Sequence, residues 1–227
     1  LSGIAGQGTN ASAEAAEGTA ASRDEAATRG AAVHSLLEWS AANEWREPRA
    51  ELVEDDSHLA PVRAWLGSGF LRERVLAPRA TARAEVPLLL GLDGTTLRGS
   101  IDLLVERDGV PPLVVDYKTD RLDGSTPNER AAKYRTQRAI YALAVAESRG
   151  ADAVEVAYVF LERPDEPVVE TLDREAIERG REELAATIAR IGAGEFPVAP
   201  PERRDWDLCN GCPALGRLCS GPRAEES

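Results

Sequence analysis

Lysine is almost missing from this chain. Of its 27 basic side chains, only Lys118 and Lys133 are lysines. Methionine is absent altogether, so there is no initiator, and the expectation is a trimmed chain or a C-terminal piece of a longer one. Aromatics make up 5%, which leaves a core of Leu, Val, Ile and Ala within a hydrophobic content of 43%. No run approaches the roughly 20 apolar residues that cross a bilayer, so no membrane partner is expected. A basic leader followed by a long apolar core is also missing, which argues against a secretory signal. Excess positive charge is lacking too. A net charge of −12 disfavours a surface that grips nucleic acid globally, since such binding rests on neutralising phosphates. The only cysteines, Cys209, Cys212 and Cys219, are odd in number and clustered. That excludes a disulfide framework and suits a metal or cluster site in a reducing, cytoplasmic setting.

What is present reads as a tail, one large domain and a short appendage. The Ala/Gly/Ser/Thr-rich opening, residues 1–21, looks like a flexible linker. The main domain is expected over 22–200, a cysteine-containing segment packed on it over 201–221, and a tail over 222–227. Ser22 and Glu25 have capping-box spacing and predict a helix to about Trp45. Helical turns follow over 57–66 and up to Val75. The pattern then becomes extended, with strands at 82–90, 95–106 and 112–118 joined by Gly/Asp turns. Short turns between successive strands predict an antiparallel meander. A long helix is expected from Glu129 to Arg149, then strands at 153–161 and 167–172 and a last helix opened by Asp173. The fold class is therefore α/β, with a mixed central sheet of about five strands flanked by helices.

The chemistry concentrates on two of these strands. Val114-Val115-Asp116-Tyr117-Lys118 ends an apolar run in a carboxylate and an ammonium that share one face of a strand. Ser100-Ile101-Asp102-Leu103-Leu104 sets a second carboxylate among apolar neighbours on the adjacent strand. A single buried Asp is commonly a structural hydrogen bond or salt bridge. Two on paired strands repel, and a divalent cation that ligates both relieves this. Together with Lys118 they point to metal-dependent hydrolysis. Glu85 is weaker by itself, because a strand Glu is commonly just exposed. His34, one of two histidines, follows Gly30 by one helical turn, which would let that helix approach the sheet closely.

Taken in order, Arg29-Gly30-x-x-Val33-His34, Glu85, Gly99-x-Ile101-Asp102, Val115-Asp116-Tyr117-Lys118-Thr119 and Gln137-x-x-x-Tyr141 resemble the RecB-type nuclease domain. That is a branch of the PD-(D/E)XK nuclease superfamily with a restriction-endonuclease-like fold. The motifs span residues 29–141, and the later strands and cysteines extend the likeness towards residue 220. The resemblance implies that His34, Asp102 and Asp116, with the main-chain carbonyl of Tyr117, ligate Mg²⁺ or Mn²⁺. Lys118 would handle the attacking water and Glu85 would assist at the metal. Gln137 and Tyr141 would line a DNA-side groove, where Arg130 and Lys133 add phosphate contacts.

It further implies a DNA exonuclease that acts on single-stranded ends in double-strand-break processing, joined to a helicase subunit or domain. A catalytically silent DNA-binding scaffold and a stand-alone nuclease of defence or mobile-element processing stay open beside it. In several relatives three such cysteines and one upstream cysteine hold a [4Fe–4S] cluster. Here no cysteine precedes position 209. Asp207 as a substitute ligand, a zinc site and plain leftover thiols all stay open.

Overall fold

A computed structural model describes residues 10–49, 51, 53, 55–197, 200, 209, 212 and 219, with side chains from residue 25 onward. Two units divide the chain: Arg29–Ala193, and Leu1–Thr28 with Gly194–Ser227. The first carries the sheet. Five strands, β1 (Thr81–Leu92), β2 (Thr95–Glu106), β3 (Leu113–Lys118), β4 (Ala153–Phe160) and β5 (Val168–Asp173), lie in the order β1-β2-β3-β4-β5. All neighbours are antiparallel except β3 and β4, which run parallel. The first three strands form the expected meander. The parallel step needs a crossover, and the helical segment between β3 and β4 supplies it.

The helices are α1 (Asn10–Ala42), α2 (Leu59–Leu66), α3 (Pro127–Ala131), α4 (Arg135–Arg149) and α5 (Arg174–Gly192). Two expectations change here. The backbone is already helical at Asn10, inside the stretch read as linker, and Ser22 and Glu25 lie within α1 rather than at its start. The cause is local: a small-residue run rich in alanine has high intrinsic helix propensity. Residues 1–9 lie outside the described residues. The long helix read from Glu129 to Arg149 is also broken, with a 3₁₀ turn over Ala132–Tyr134 separating α3 from α4. Its start is fixed by a capping box between Thr126 and Glu129, and its end by Gly150 at φ +63°.

Each face of the sheet buries its own core. Val33, Leu37, Leu59, Val62 and Trp65 from α1 and α2 pack on Leu103, Val105, Val115, Tyr117 and Val159. On the other face, Ala142, Leu143, Ile177 and Leu184 from α4 and α5 pack on Leu104, Val114, Val156, Tyr158 and Phe160. β4 is buried on both faces, as a central strand with a parallel neighbour should be. A Cβ on Gly30 would come 3.1 Å from Thr119 Oγ1, so α1 does approach the end of β3 as closely as the sequence suggests.

The β1–β2 hairpin departs from simple alternation. Ala82 and Ala84 pack on the α1/α2 side, whereas Leu88, Leu90 and Leu92, of the same parity, pack on the α4 side. On β2, Leu103 and Val105 pack on the first side and Ile101 on the second. Both strands therefore exchange faces between residues 84–86 and 101–103. The backbone reason is Glu85, which sits at φ +48°, a left-handed conformation that a non-glycine residue rarely adopts. The hairpin turns over at this row.

Candidate active site

That row is where the acidic residues meet. Ala84 pairs with Leu103 and Val86 with Ile101, so Glu85 stands opposite Asp102. Leu103 pairs with Val115, and one step along the same register sets Asp102 opposite Asp116. Neither acidic pair is itself part of a ladder. The β1–β2 register skips Glu85 and Asp102, and the β2–β3 ladder stops at Leu103–Val115. The amide left open on β3 is taken by a side chain: Tyr117 N–H donates to Asp102 Oδ2 at 2.8 Å. A strand residue directs its N–H and C=O to the same edge, so the Tyr117 carbonyl also faces this fork.

The fork is reached from both faces. From α1, His34 Nδ1 lies 3.4 Å from Asp102 Oδ1, and its ring stands edge-on to Tyr117 with centroids 6.1 Å apart. Hydrogen bonding to Asp102 raises the His34 pKa against the lowering effect of burial. Glu85 is held by Ser100, whose Oγ donates to Glu85 Oε2 at 2.6 Å. One ligand atom each from His34, Glu85 and Asp102 falls within 4.8 Å of the others. No other group of three or more His, Cys, Asp or Glu among the described residues does this. Two unit charges at that range repel by roughly 3–4 kcal/mol at an effective dielectric of 20. A nitrogen and two carboxylates that close together fit a divalent cation, which takes oxygen and imidazole ligands and cancels the repulsion.

From the α4 side the site is a hydrogen-bonded relay. Asp116 is 2% exposed. Burial raises its pKa, opposed by the positive charge of Lys118. Lys118 Nζ lies 2.6 Å from Asp116 Oδ2, an ion pair without a well-aligned hydrogen bond. Nζ also donates to Gln137 Oε1 at 3.0 Å. Gln137 Nε2 donates to Tyr141 Oη at 2.9 Å, and Tyr141 donates to Asp116 Oδ1 at 2.9 Å. Burial, followed by the charge of Asp116, holds the Tyr141 hydroxyl far above its usual range.

The expected residues thus fall into three sets. His34, Glu85 and Asp102 converge, so Glu85 ranks beside the other two rather than behind them. Asp116 stands next to them but is engaged by Lys118 and Tyr141. Tyr141 is 6% exposed and bonded inward, and the half-buried Gln137 lies between it and Lys118. Arg130 is turned into the preceding loop, donating to the Arg121 carbonyl at 2.7 Å and pairing with Asp123 at 3.6 Å. Lys133 is exposed. The sequence reading missed Tyr134 and Tyr158, whose rings lie 3.9 Å and 5.5 Å from Lys118 Nζ. A signal existed in the composition. The chain has four tyrosines, and the side chains of three of them, Tyr134, Tyr141 and Tyr158, lie against Asp116 or Lys118. Beside this site, Arg29, Arg121, Asp120 and Glu162 line a cleft of about 350 Å³.

In the second unit, Cys212 N–H donates to the Cys209 carbonyl at 2.9 Å. All three cysteines are free, and they do not converge as a ligand set. Three thiols fall one short of the four ligands of a structural zinc or a [4Fe–4S] cluster, so the described residues complete neither. Asp207 lies outside the described residues. No described helix is long and apolar enough to cross a membrane.

Comparison with known proteins places this geometry. Residues 10–219 match the profile of the PD-(D/E)XK nuclease superfamily. Over 110 residues, 42% of this chain, the sequence is 36% identical to an ATP-dependent helicase/nuclease subunit of Carboxydothermus hydrogenoformans. The match spans 9% of that protein's length. A crystal structure of a candidate exonuclease from Eubacterium rectale superposes with a TM-score of 0.46 at 17% identity, covering 86% of this chain and 76% of that one. A motif-bearing sheet of this kind and a family match over most of the sequence lead to one conclusion: the chain belongs to the PD-(D/E)XK nuclease superfamily.

Proposed function

We propose that this nuclease is a Mg²⁺-dependent deoxyribonuclease, with Mn²⁺ as a substitute ion, that trims single-stranded DNA ends exonucleolytically. The observation that carries the reading is the acidic row, with three carboxylates side by side at a gap in two strand ladders and a lysine on the third strand. His34, Glu85 and Asp102 would hold the ion, with Asp116 and the Tyr117 carbonyl bordering it on β3. A bound divalent cation polarises the scissile phosphate and lowers the pKa of its water. Lys118 then orients the attacking water and offsets charge that develops on the phosphate. Gln137 fixes the Lys118 ammonium, and Tyr141 fixes Asp116. Lys133, on the solvent side of the same segment, is placed to meet a phosphate, whereas Arg130 shapes the loop beneath it.

Double-strand-break ends as the setting and the cytoplasm as the compartment rest on the sequence resemblance alone; the likeness to one stretch of a helicase/nuclease protein supports a partner that is a helicase, whether fused or separate. The acidic surface supports this too, because delivery of the strand then falls to the partner rather than to long-range attraction. The test is degradation of end-labelled single-stranded DNA with and without Mg²⁺. Degradation is expected only with the ion and is expected to vanish in Lys118→Ala. Equal activity of Lys118→Ala and wild type would refute the assignment.

A further inference from the structure

Lys118 is held by more than its carboxylate. Its Nζ lies over the Tyr134 ring at 3.9 Å and near the Tyr158 ring at 5.5 Å, and the two rings are 5.4 Å apart, tilted by 35°. Both rings are themselves fixed. Tyr158 is fully buried in β4, and its hydroxyl donates to the Tyr134 carbonyl at 2.9 Å. Tyr134 ends the 3₁₀ break and is the N-cap of α4, at φ −100° and ψ 13°. At the far end of its ring, the Tyr134 hydroxyl donates to Asp120, in the loop that follows β3. The local sequence here favours an unbroken helix, yet a 3₁₀ turn interrupts it. What it provides is one particular placement of the Tyr134 ring.

The geometry points to Tyr134 and Tyr158 as positioning residues for Lys118: their rings form an aromatic half-cage that sets where the ammonium sits against Asp116. The negative face of each ring attracts the ammonium, in addition to its contacts with Asp116 and Gln137. An aliphatic side chain would fill the same volume and give none of this attraction. The catalytic meaning of the cage rests on the role given to Lys118 above.

The scarcity of lysine makes the test direct. With only two lysines, protein grown on ¹³C-lysine gives two Cε–Hε signals, and Lys133→Arg assigns them. Lys118 Hε is expected to be displaced upfield of Lys133 by the ring currents. Tyr134→Leu should return it to the ordinary position, and Tyr134→Phe should leave it displaced. On labelled single-stranded DNA, Tyr134→Leu should lower kcat by on the order of 10- to 100-fold with KM unchanged, as expected for a misplaced group. Tyr134→Phe should recover most of the loss. An undisplaced Lys118 signal in wild type overturns the cage, and this measurement decides the matter should Tyr134→Leu fail to fold. So does wild-type kcat in Tyr134→Leu beside an inactive Lys118→Ala. Full activity of Lys118→Ala instead removes the reading of the site, and the catalytic role of the cage with it.

Discussion

The two halves of the β1–β2 hairpin are built alike and anchored differently. The inner half, residues 81–84 with 103–106, lies beside β3 and buries its side chains against α1 and α2. The outer half, residues 86–92 with 95–101, extends past the end of the β2–β3 ladder and buries Leu88, Leu90 and Leu92 on the α4 side. The acidic row is the seam between them. Packing on each side is satisfied without it, so the seam is available for chemistry, and it is where the backbone carries its left-handed glutamate. The lesson is a division of labour: changes at the seam should alter activity far more than stability, and changes in either half should do the reverse.

The largest effect is expected at the seam. Asp102→Asn and Glu85→Gln should each lower the rate of DNA degradation by more than the roughly 10- to 100-fold typical of an outer-shell change at a metal site. Thermal unfolding in EDTA should show the variants no less stable than wild type, since one repelling charge is gone. A large loss of Tm in metal-free buffer would contradict the seam. The next effect is in the halves. Leu103→Ala and Leu90→Ala, both at fully buried positions, should each cost about 2–5 kcal/mol by urea unfolding. Hydrogen exchange should then separate them. Leu90→Ala should speed exchange mainly in the outer half, whereas Leu103→Ala should loosen the whole sheet. The smallest effect on stability is expected for Glu85→Gly. Relief of about 1–2 kcal/mol for a non-glycine residue in the left-handed region offsets the added freedom of glycine in the unfolded chain. Tm should stay close to wild type while activity is lost.

Much of this frame was legible. β2 starts at Thr95 and ends at Glu106 as read, because flanking Gly/Asp turns and an apolar run bound it on both sides. Asp102, Asp116, Lys118 and His34 were singled out by residue type in apolar surroundings, and the structure brings them to one place. Three features were not legible, each for a tertiary reason. The break at Ala132–Tyr134 interrupts a good helix former, and it is stabilised by contacts from Tyr158 and Asp120, distant in sequence. The face exchange at Glu85 leaves the strand's parity looking regular, because the same parity is apolar on both sides of the turn-over. The hydrogen bonds of Gln137 to Lys118 and of Tyr141 to Asp116 join residues distant in sequence. Periodicity tells which side of a helix a residue occupies, but not whether a buried polar network waits there.

The gap in the ladders has a consequence for how such a protein can change over time. Across β1–β2 and β2–β3 the rungs at the acidic row are already open, although Asp116 pairs with Tyr158 in the β3–β4 ladder and Asp102 takes the Tyr117 N–H. Residue 85 can therefore be exchanged without unpicking the sheet on either side, and residue 102 can be exchanged for any side chain that still accepts the Tyr117 N–H. A frame with a built-in opening lets catalysis be tuned, moved to another ion or lost, while the folded chain persists as a scaffold.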